Sequence, residues 1–306
     1  MSADRVPGPC RVPALYPVQY RDLVAAALRE DLGRAGDRTS DAVVPAQQQA
    51  TADARTRSAG VVAGGAVAAE VFRQLDPSAE IRIVADDGQP IPTGATLVSV
   101  AGNARALLAA ERTAINLLSH LSGIATATSI IVEQLAGTTA RVVGTRKTTP
   151  LLRALEAHAV RCGGGGSHRY GLDDAILIKD NHRIIAGSAA EAVRRARAAA
   201  GHLVKIEIEV DALDELEAVL ALGVDAVLLD NMAPEALHRA VAIRDRAEAS
   251  LSPERRTRLE ASGGITPETA RAVAETGVDL LSIGWLTHSA PALDIGLDFR
   301  PSCVPA

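Results

Sequence analysis

Aromatic residues make up only 2% of this 306-residue chain, and Trp285 is its single tryptophan. The core must therefore come from Ala, Val, Leu and Ile, and a base-stacking platform for single-stranded nucleic acid is excluded by composition. Excess positive charge is also missing: 32 Lys and Arg against 37 Asp and Glu leave a net charge of −5. Without a basic footprint no nucleic-acid partner is expected, and any anionic ligand must be met by a local cluster of cations. Cysteine is scarce. Cys10, Cys162 and Cys303 lie far apart with no CxxC spacing, which argues against a disulfide framework and a zinc site and fits a reducing cytoplasm. The opening residues, MSADRVPGPCRVPALYP, lack the apolar run of a secretory signal and read as a loose leader. Residues 113–132 carry no formal charge and are long enough to span a bilayer. Their polar groups, among them Asn116, His120, Ser122 and Thr128, suit a buried or partner-facing helix better, so no membrane partner is expected. There is no GxxxxGK[ST] loop for a nucleoside triphosphate and no GxGxxG after a strand for a dinucleotide.

What is present is an ordinary globular composition, 47% hydrophobic and 23% charged, long enough for two domains or one barrel with an appendage. Leu23, Ala26 and Ala27 fall at helical spacing and predict a first helix over 18–30. Between 50 and 100 the runs GVVAGGAVAA, EIRIVAD and ATLVSVAG predict a small sheet with a helix around 68–74. After Asn103 the chain turns helical through 111–134. Six short apolar runs then follow, RVVGT, AILIK, VKIEIEV, AVLLD, RLEASG and LLSIG, each trailed by a helical pattern. That alternation predicts an α/β fold of parallel βα units, closed as a barrel or lying as an open sheet.

In a parallel sheet the ends of these runs meet at one edge, where ligands bind. The ends are Thr145, Arg146 and Lys147; Lys179, Asp180 and Asn181; Glu209 and Asp211; Asp230 and Asn231; Ser262, Gly263 and Gly264; and Gly284. Their signs segregate. Arg146, Lys147, His168, Arg169 and Lys179 form a cationic half suited to a small polyanion, because guanidinium forks grip carboxylate or phosphate and lysines add point charge. Arg153 and Arg161 sit at helical spacing that predicts a solvated face. Glu209 and Asp230 are placed for a divalent metal or sugar hydroxyls, and oxygen donors favour magnesium over zinc. The bland alternative has Glu207 facing a helix and Glu209 merely pairing with a lysine. The glycines at 263, 264 and 284 leave backbone N–H groups bare for a phosphate. His120, His158, His182 and His288 lack metal-ligand spacing and read as structural, His182 being the exception with most claim to the site. A polyanion pocket beside a magnesium-bound sugar phosphate points to glycosyl or phosphoribosyl transfer.

At these residues the chain resembles the quinolinate phosphoribosyltransferase family, also called nicotinate-nucleotide pyrophosphorylase (carboxylating). The likeness rests on EDLGRAGDRTS, ERTAINLLSHLSGIAT (111–126), TRKTTP (145–150), GGGGSHRYGLDDAILIKDNH (163–182), LLDNM, ASGGIT and SIGWLTHSAPALDIGLDF. It implies conversion of quinolinate and phosphoribosyl pyrophosphate to nicotinate mononucleotide, pyrophosphate and CO2 in NAD biosynthesis, with magnesium, in the cytoplasm. It implies a type II phosphoribosyltransferase-like fold: an incomplete α/β barrel over 116–289, and an N-terminal α/β sandwich over 1–115 rejoined by the tail 290–306. Carried over, Arg146, Lys147, His168, Arg169 and Lys179 hold the two quinolinate carboxylates. Glu209 and Asp230 match the ribose and metal contacts, and Ser262, Gly263, Gly264 and Gly284 match the phosphate cradle. Lys147, Lys179, Glu209 and Asp230 are the implied catalytic group. The resemblance further implies a homodimer, or a hexamer built as a trimer of dimers, with Arg112 reaching into the neighbour's site.

Gly144, Ser167 and Leu151 stand where the family pattern has Asp, Asn and Gly. They flank the acid pocket, so a paralogue acting on another pyridine carboxylate, or of the molybdenum-locus type, stays open. A Schiff-base lyase using Lys179 and a non-catalytic ligand sensor are the rivals from other classes.

Overall fold

The structure, a computed structural model, describes residues 12–301. Cys10, Cys303 and most of the expected leader fall outside that range. The chain divides into two compact units: one takes the residues up to 127, 154–164 and those from 291 on, the other 128–153 and 165–290. The sequence expectation set the divisions at 115/116 and 289/290. The helix Arg153–Cys162, which no break in the βα rhythm marks out, goes almost wholly with the first unit.

The first unit carries β1 (Gln49–Thr56), β2 (Gly60–Val61), β3 (Glu80–Ile83), β4 (Pro90–Ile91) and β5 (Thr96–Asn103). The second carries β6 (Arg141–Val143), β7 (Ile176–Ile178), β8 (Ile206–Val210), β9 (Ala226–Asp230), β10 (Arg258–Ser262) and β11 (Leu280–Ser282). The chain then returns to the first unit as β12 (Ile295–Pro301).

In the first unit β12, β1, β5 and β3 form an antiparallel sheet in that order. Ala52, Ala54, Val98 and Val100 bury on its strands, and the helix Gly65–Leu75 packs on it with Val67, Val71 and Phe72 buried. Half of GVVAGGAVAA, from Gly65 on, is thus helix, not strand. The Asp87 carboxylate accepts the Gly64 and Gly65 N–H groups at 3.0 and 3.1 Å, capping the helix and leaving only Gly60–Val61 to pair with β4. The helix predicted over 18–30 runs Arg21–Leu32. The long helix Ala104–Gln134 opens where Asn103 Oδ1 accepts the Arg105 N–H at 3.1 Å. It is long and apolar enough to cross a membrane by length and composition, yet 61% of its apolar window is buried against protein.

The six predicted runs become the parallel sheet of the second unit, ordered β6-β11-β10-β9-β8-β7. β6 and β7 are its edges, and among the described residues the open edge of β6 gains only a bridge from Val143 to Gly166. This is the parallel sheet that an incomplete barrel requires. Its side chains obey the strand period of two. Ile206, Ile208 and Val210, Val227 and Leu229, Leu259 and Ala261, and Leu281 bury on one face. Glu207 and Glu209, Asp230, Glu260 and Ser262, and Ser282 fall on the other. Register puts Asp230 beside Ser262 and Ser262 beside Ser282, so the polar ends of three strands form one row.

Candidate active site

That polar face lines a cavity of about 570 Å³ within the second unit. Arg146, Lys147, His168, Arg169 and Lys179 stand in its wall together with Glu209, Asp230, Ser262, Gly263, Gly264 and Gly284. Every site residue predicted from the sequence is brought there except Arg112, which is exposed on the helix Ala104–Gln134 in the first unit.

The cationic half is built on the segments following β6 and preceding β7. Arg153, expected on a solvated face, instead ties these segments together, donating to Thr148 Oγ1 and to the Tyr170 carbonyl, both at 3.1 Å. The Nε atoms of Arg146 and Arg169 are buried and have no hydrogen-bond partner in the protein. Burial, and then repulsion from Arg146, make Arg169 a weaker base than an ordinary arginine. Two crowded guanidinium groups with unpaired donors are costly unless an anion meets them. Lys179 Nζ donates to Glu209 Oε2 at 2.7 Å, and the Lys179 N–H donates to His182 Nδ1 at 2.9 Å, so His182 does serve the site as a backbone support.

His168 is held by protein on both sides. Nδ1 accepts the Arg169 N–H at 2.7 Å, while Nε2 lies 3.2 Å from Glu207 and 3.3 Å from Glu260. Because Nδ1 accepts the Arg169 N–H, the ring carries a single proton, on Nε2, between the two carboxylates. Burial in turn holds Glu207 above the usual carboxylate range, against the pull of His168 and with the push of Glu260. Glu207 thus turns to His168, not to a helix.

In the acidic half Glu209 is 6% exposed, and Glu209, Asp211 and Asp230 each bring an oxygen within 4.8 Å of the others. Clustered carboxylates, of which Glu209 is buried, Asp230 half-buried and Asp211 exposed, fit a hard divalent cation. Asp230 is oriented by Asn231, whose Nδ2 donates to Oδ2 at 2.7 Å from a backbone in the left-handed region at φ +51°. Gly263 has φ +97°, and a Cβ there would come within 2.1 Å of Asn231 Oδ1, so only glycine fits. At Gly284 a Cβ would press on Lys147 at 3.0 Å.

The sequence reading missed Glu260, Ser282, Trp285 and His288, all in the cavity wall. Glu260 precedes Ser262 by two residues on one strand, so the period of two was the available signal. Among the departures, Leu151 takes φ +70° and is 89% exposed, a left-handed position where the family pattern has glycine.

Two family models match the chain: the quinolinate phosphoribosyl transferase N-terminal domain over 37–122 and its C-terminal domain over 124–298. A nicotinate-nucleotide pyrophosphorylase [carboxylating] from Mycobacterium leprae is 46% identical over 281 residues, covering 91% of this chain and 96% of that protein. The human protein of the same name is 38% identical over 285 residues, with 92% of each covered. Among solved structures, the nicotinate-nucleotide pyrophosphorylase of Francisella tularensis superposes with a TM-score of 0.87 at 36% identity, covering 95% of this chain and 99% of that one.

Proposed function

The chain belongs to the quinolinate phosphoribosyltransferase family and carries out its reaction, quinolinate and phosphoribosyl pyrophosphate giving nicotinate mononucleotide, pyrophosphate and CO2; we propose how the cavity residues divide that work. The observation that carries the assignment is one cavity wall shared by Arg146 and Arg169, each with a buried Nε left unpartnered, and by Glu209 and Asp230.

Arg146 and Arg169 grip the quinolinate carboxylates, with Lys147 and Lys179 adding charge and His168 at the wall between them. A dianion brought beside pyrophosphate would be repelled without these cations, so positioning and charge neutralisation supply most of the catalysis. The ring nitrogen attacks the anomeric carbon as the bond to pyrophosphate breaks. Glu209 and Asp230 stabilise the positive charge that develops on the ribose. Ser262, Gly263, Gly264 and Gly284 offer hydroxyl and bare N–H donors to the phosphate. Once the nitrogen is quaternary, its positive charge stabilises the electron pair that stays on C2 as CO2 departs, and a proton then bonds to that pair. Magnesium, held by Glu209 and Asp230, would neutralise the pyrophosphate when bound.

A homodimer or a trimer of dimers, with Arg112 completing the partner's acid pocket, is proposed from the family likeness, as is a cytoplasmic location. Absence of membrane and nucleic-acid partners rests on composition. Inactive Arg112→Ala and inactive Lys179→Ala proteins should regain activity when reassembled together, and no recovery after confirmed mixing removes the shared site. The substrate is tested by incubating the protein with phosphoribosyl pyrophosphate, magnesium and a panel of pyridine carboxylates, with products identified by mass. Turnover of quinolinate with loss of CO2 is expected. Turnover of another acid instead would move the assignment to a paralogue, as Gly144, Ser167 and Leu151 would then explain.

A further inference from the structure

Two carboxylates beside the acid pocket have no part in the proposed division of work. Glu260, on β10, is 2% exposed and stands in the cavity wall, and Glu207, on β8, is half-buried next to it. Both face the single Nε2 of His168, at 3.3 and 3.2 Å. One ring proton cannot satisfy two carboxylates: Glu260 Oε1, the oxygen 3.3 Å from Nε2, lies close by charge alone, and it and Glu207 Oε1 are both buried with no hydrogen-bond partner. Desolvated carboxylates in excess of their donors destabilise a fold. A bland pairing would need only one of them.

What the second carboxylate secures lies across the ring. His168 Nδ1 accepts the backbone N–H of Arg169 at 2.7 Å, and the guanidinium of Arg169 is further steadied by the Ala175 carbonyl at 3.4 Å. Two carboxylates on different strands confine Nε2 from two directions, so the ring plane is fixed, and with it the direction of the lone pair that receives the Arg169 N–H.

We propose that Glu207 and Glu260 are positioning residues for the acid pocket: acting through His168, they fix the backbone at Arg169 and so aim its guanidinium at a quinolinate carboxylate. The proposal rests on the assignment of Arg169 to quinolinate. The ring of His168 faces protein at both nitrogens, so its own part is that of a strut.

The test is a double-mutant cycle in the full-length protein. Glu260→Gln, Glu207→Gln, His168→Gln and the double variant Glu260→Gln/His168→Gln are assayed with quinolinate and phosphoribosyl pyrophosphate varied separately at fixed magnesium. Each single variant should raise KM for quinolinate about tenfold, the cost of misaiming one grip, while KM for phosphoribosyl pyrophosphate stays within about twofold. Adding Glu260→Gln to His168→Gln should change KM no further, because the route to Arg169 is already cut. Glu260→Asp keeps the charge at shorter reach and carries the same test if Glu260→Gln does not fold. Equal increments in both backgrounds, a parallel rise in both KM values, or a fall in kcat alone would overturn the proposal. A wild-type protein inert toward quinolinate in this assay removes the functional assignment instead, before any variant is compared.

Discussion

Two histidine–carboxylate clusters occupy the two units, and they are satisfied differently. In the first unit His158 is 1% exposed and pairs one to one with Asp87, Nε2 lying 2.7 Å from Oδ2. The other oxygen of Asp87 caps the helix Gly65–Leu75, so both carboxylate oxygens are used within the fold. Cys162 lies close by, but burial, followed by the charge of Asp87, pushes its thiol up to about 12, which suits a packed neutral side chain better than a ligand or a nucleophile. In the second unit His168 has two carboxylates for one N–H and sits beside arginines with unpaired donors, in the wall of a cavity. A histidine cluster whose carboxylate has both oxygens matched to donors, as Asp87 has, holds a fold together, although His158 Nδ1 is buried without a hydrogen-bond partner. One with surplus charge on both sides of a cavity is arranged for a molecule that arrives.

The sharpest way to break this contrast is to strike each cluster's neighbourhood. Arg169→Ala should lower kcat/KM for quinolinate about 1000-fold, from the ~4 kcal/mol lost when one partner of a desolvated charge pair is removed. Its melting temperature should hold or rise, since a repelled, half-buried cation is gone. Steady-state kinetics beside thermal melts checks both. His158→Ala should do the reverse, costing about 3 kcal/mol of stability by stranding the Asp87 carboxylate while leaving both KM values unchanged. A shift in KM there would erase the distinction between the clusters.

Smaller effects refine it. Gly263→Ala forces Asn231 off Asp230 and should cut kcat between about 10- and 100-fold without unfolding the protein. Denaturant titration beside activity separates those outcomes. The Asp87 pair also predicts an acid limit. Burial opposes its charge, but the His158 hydrogen bond and the two backbone N–H groups win and hold its pKa below the usual value of 3.8. Because the folded value is depressed, its contribution is present above the ordinary Asp range and lost as pH falls through the folded pKa. Melting temperatures taken downward from pH 5 should therefore fall faster for wild type than for Asp87→Asn. Last, Leu151→Gly should stabilise the second unit by about 0.5–1 kcal/mol, since the side chain is exposed and its φ is left-handed.

Much of the second unit was legible because its six strands are short apolar runs at regular intervals, and each ends in a charged residue or glycine. Charge alone separated Arg146 and Lys147 from Glu209 and Asp230. Glu260 was not legible, because inside RLEASG it looks like one polar residue in a strand until the face carrying Ser262 is known to line a cavity. Arg153 misled for the complementary reason: helical spacing describes a helix interior, and Arg153 is the first residue, where its reach is set by the preceding turn. In the first unit QATADART passed unremarked, since Asp53 is buried between Ala52 and Ala54 and interrupts the alternation that would have announced β1.

The backbone crosses between the two units at 127/128, 153/154, 164/165 and 290/291. Neither unit is a cassette: any truncation that frees one severs the other, and the crossing at 127/128 runs through the helix Ala104–Gln134, so no single crossover between relatives exchanges the units whole. Such a polypeptide is inherited as a single braid.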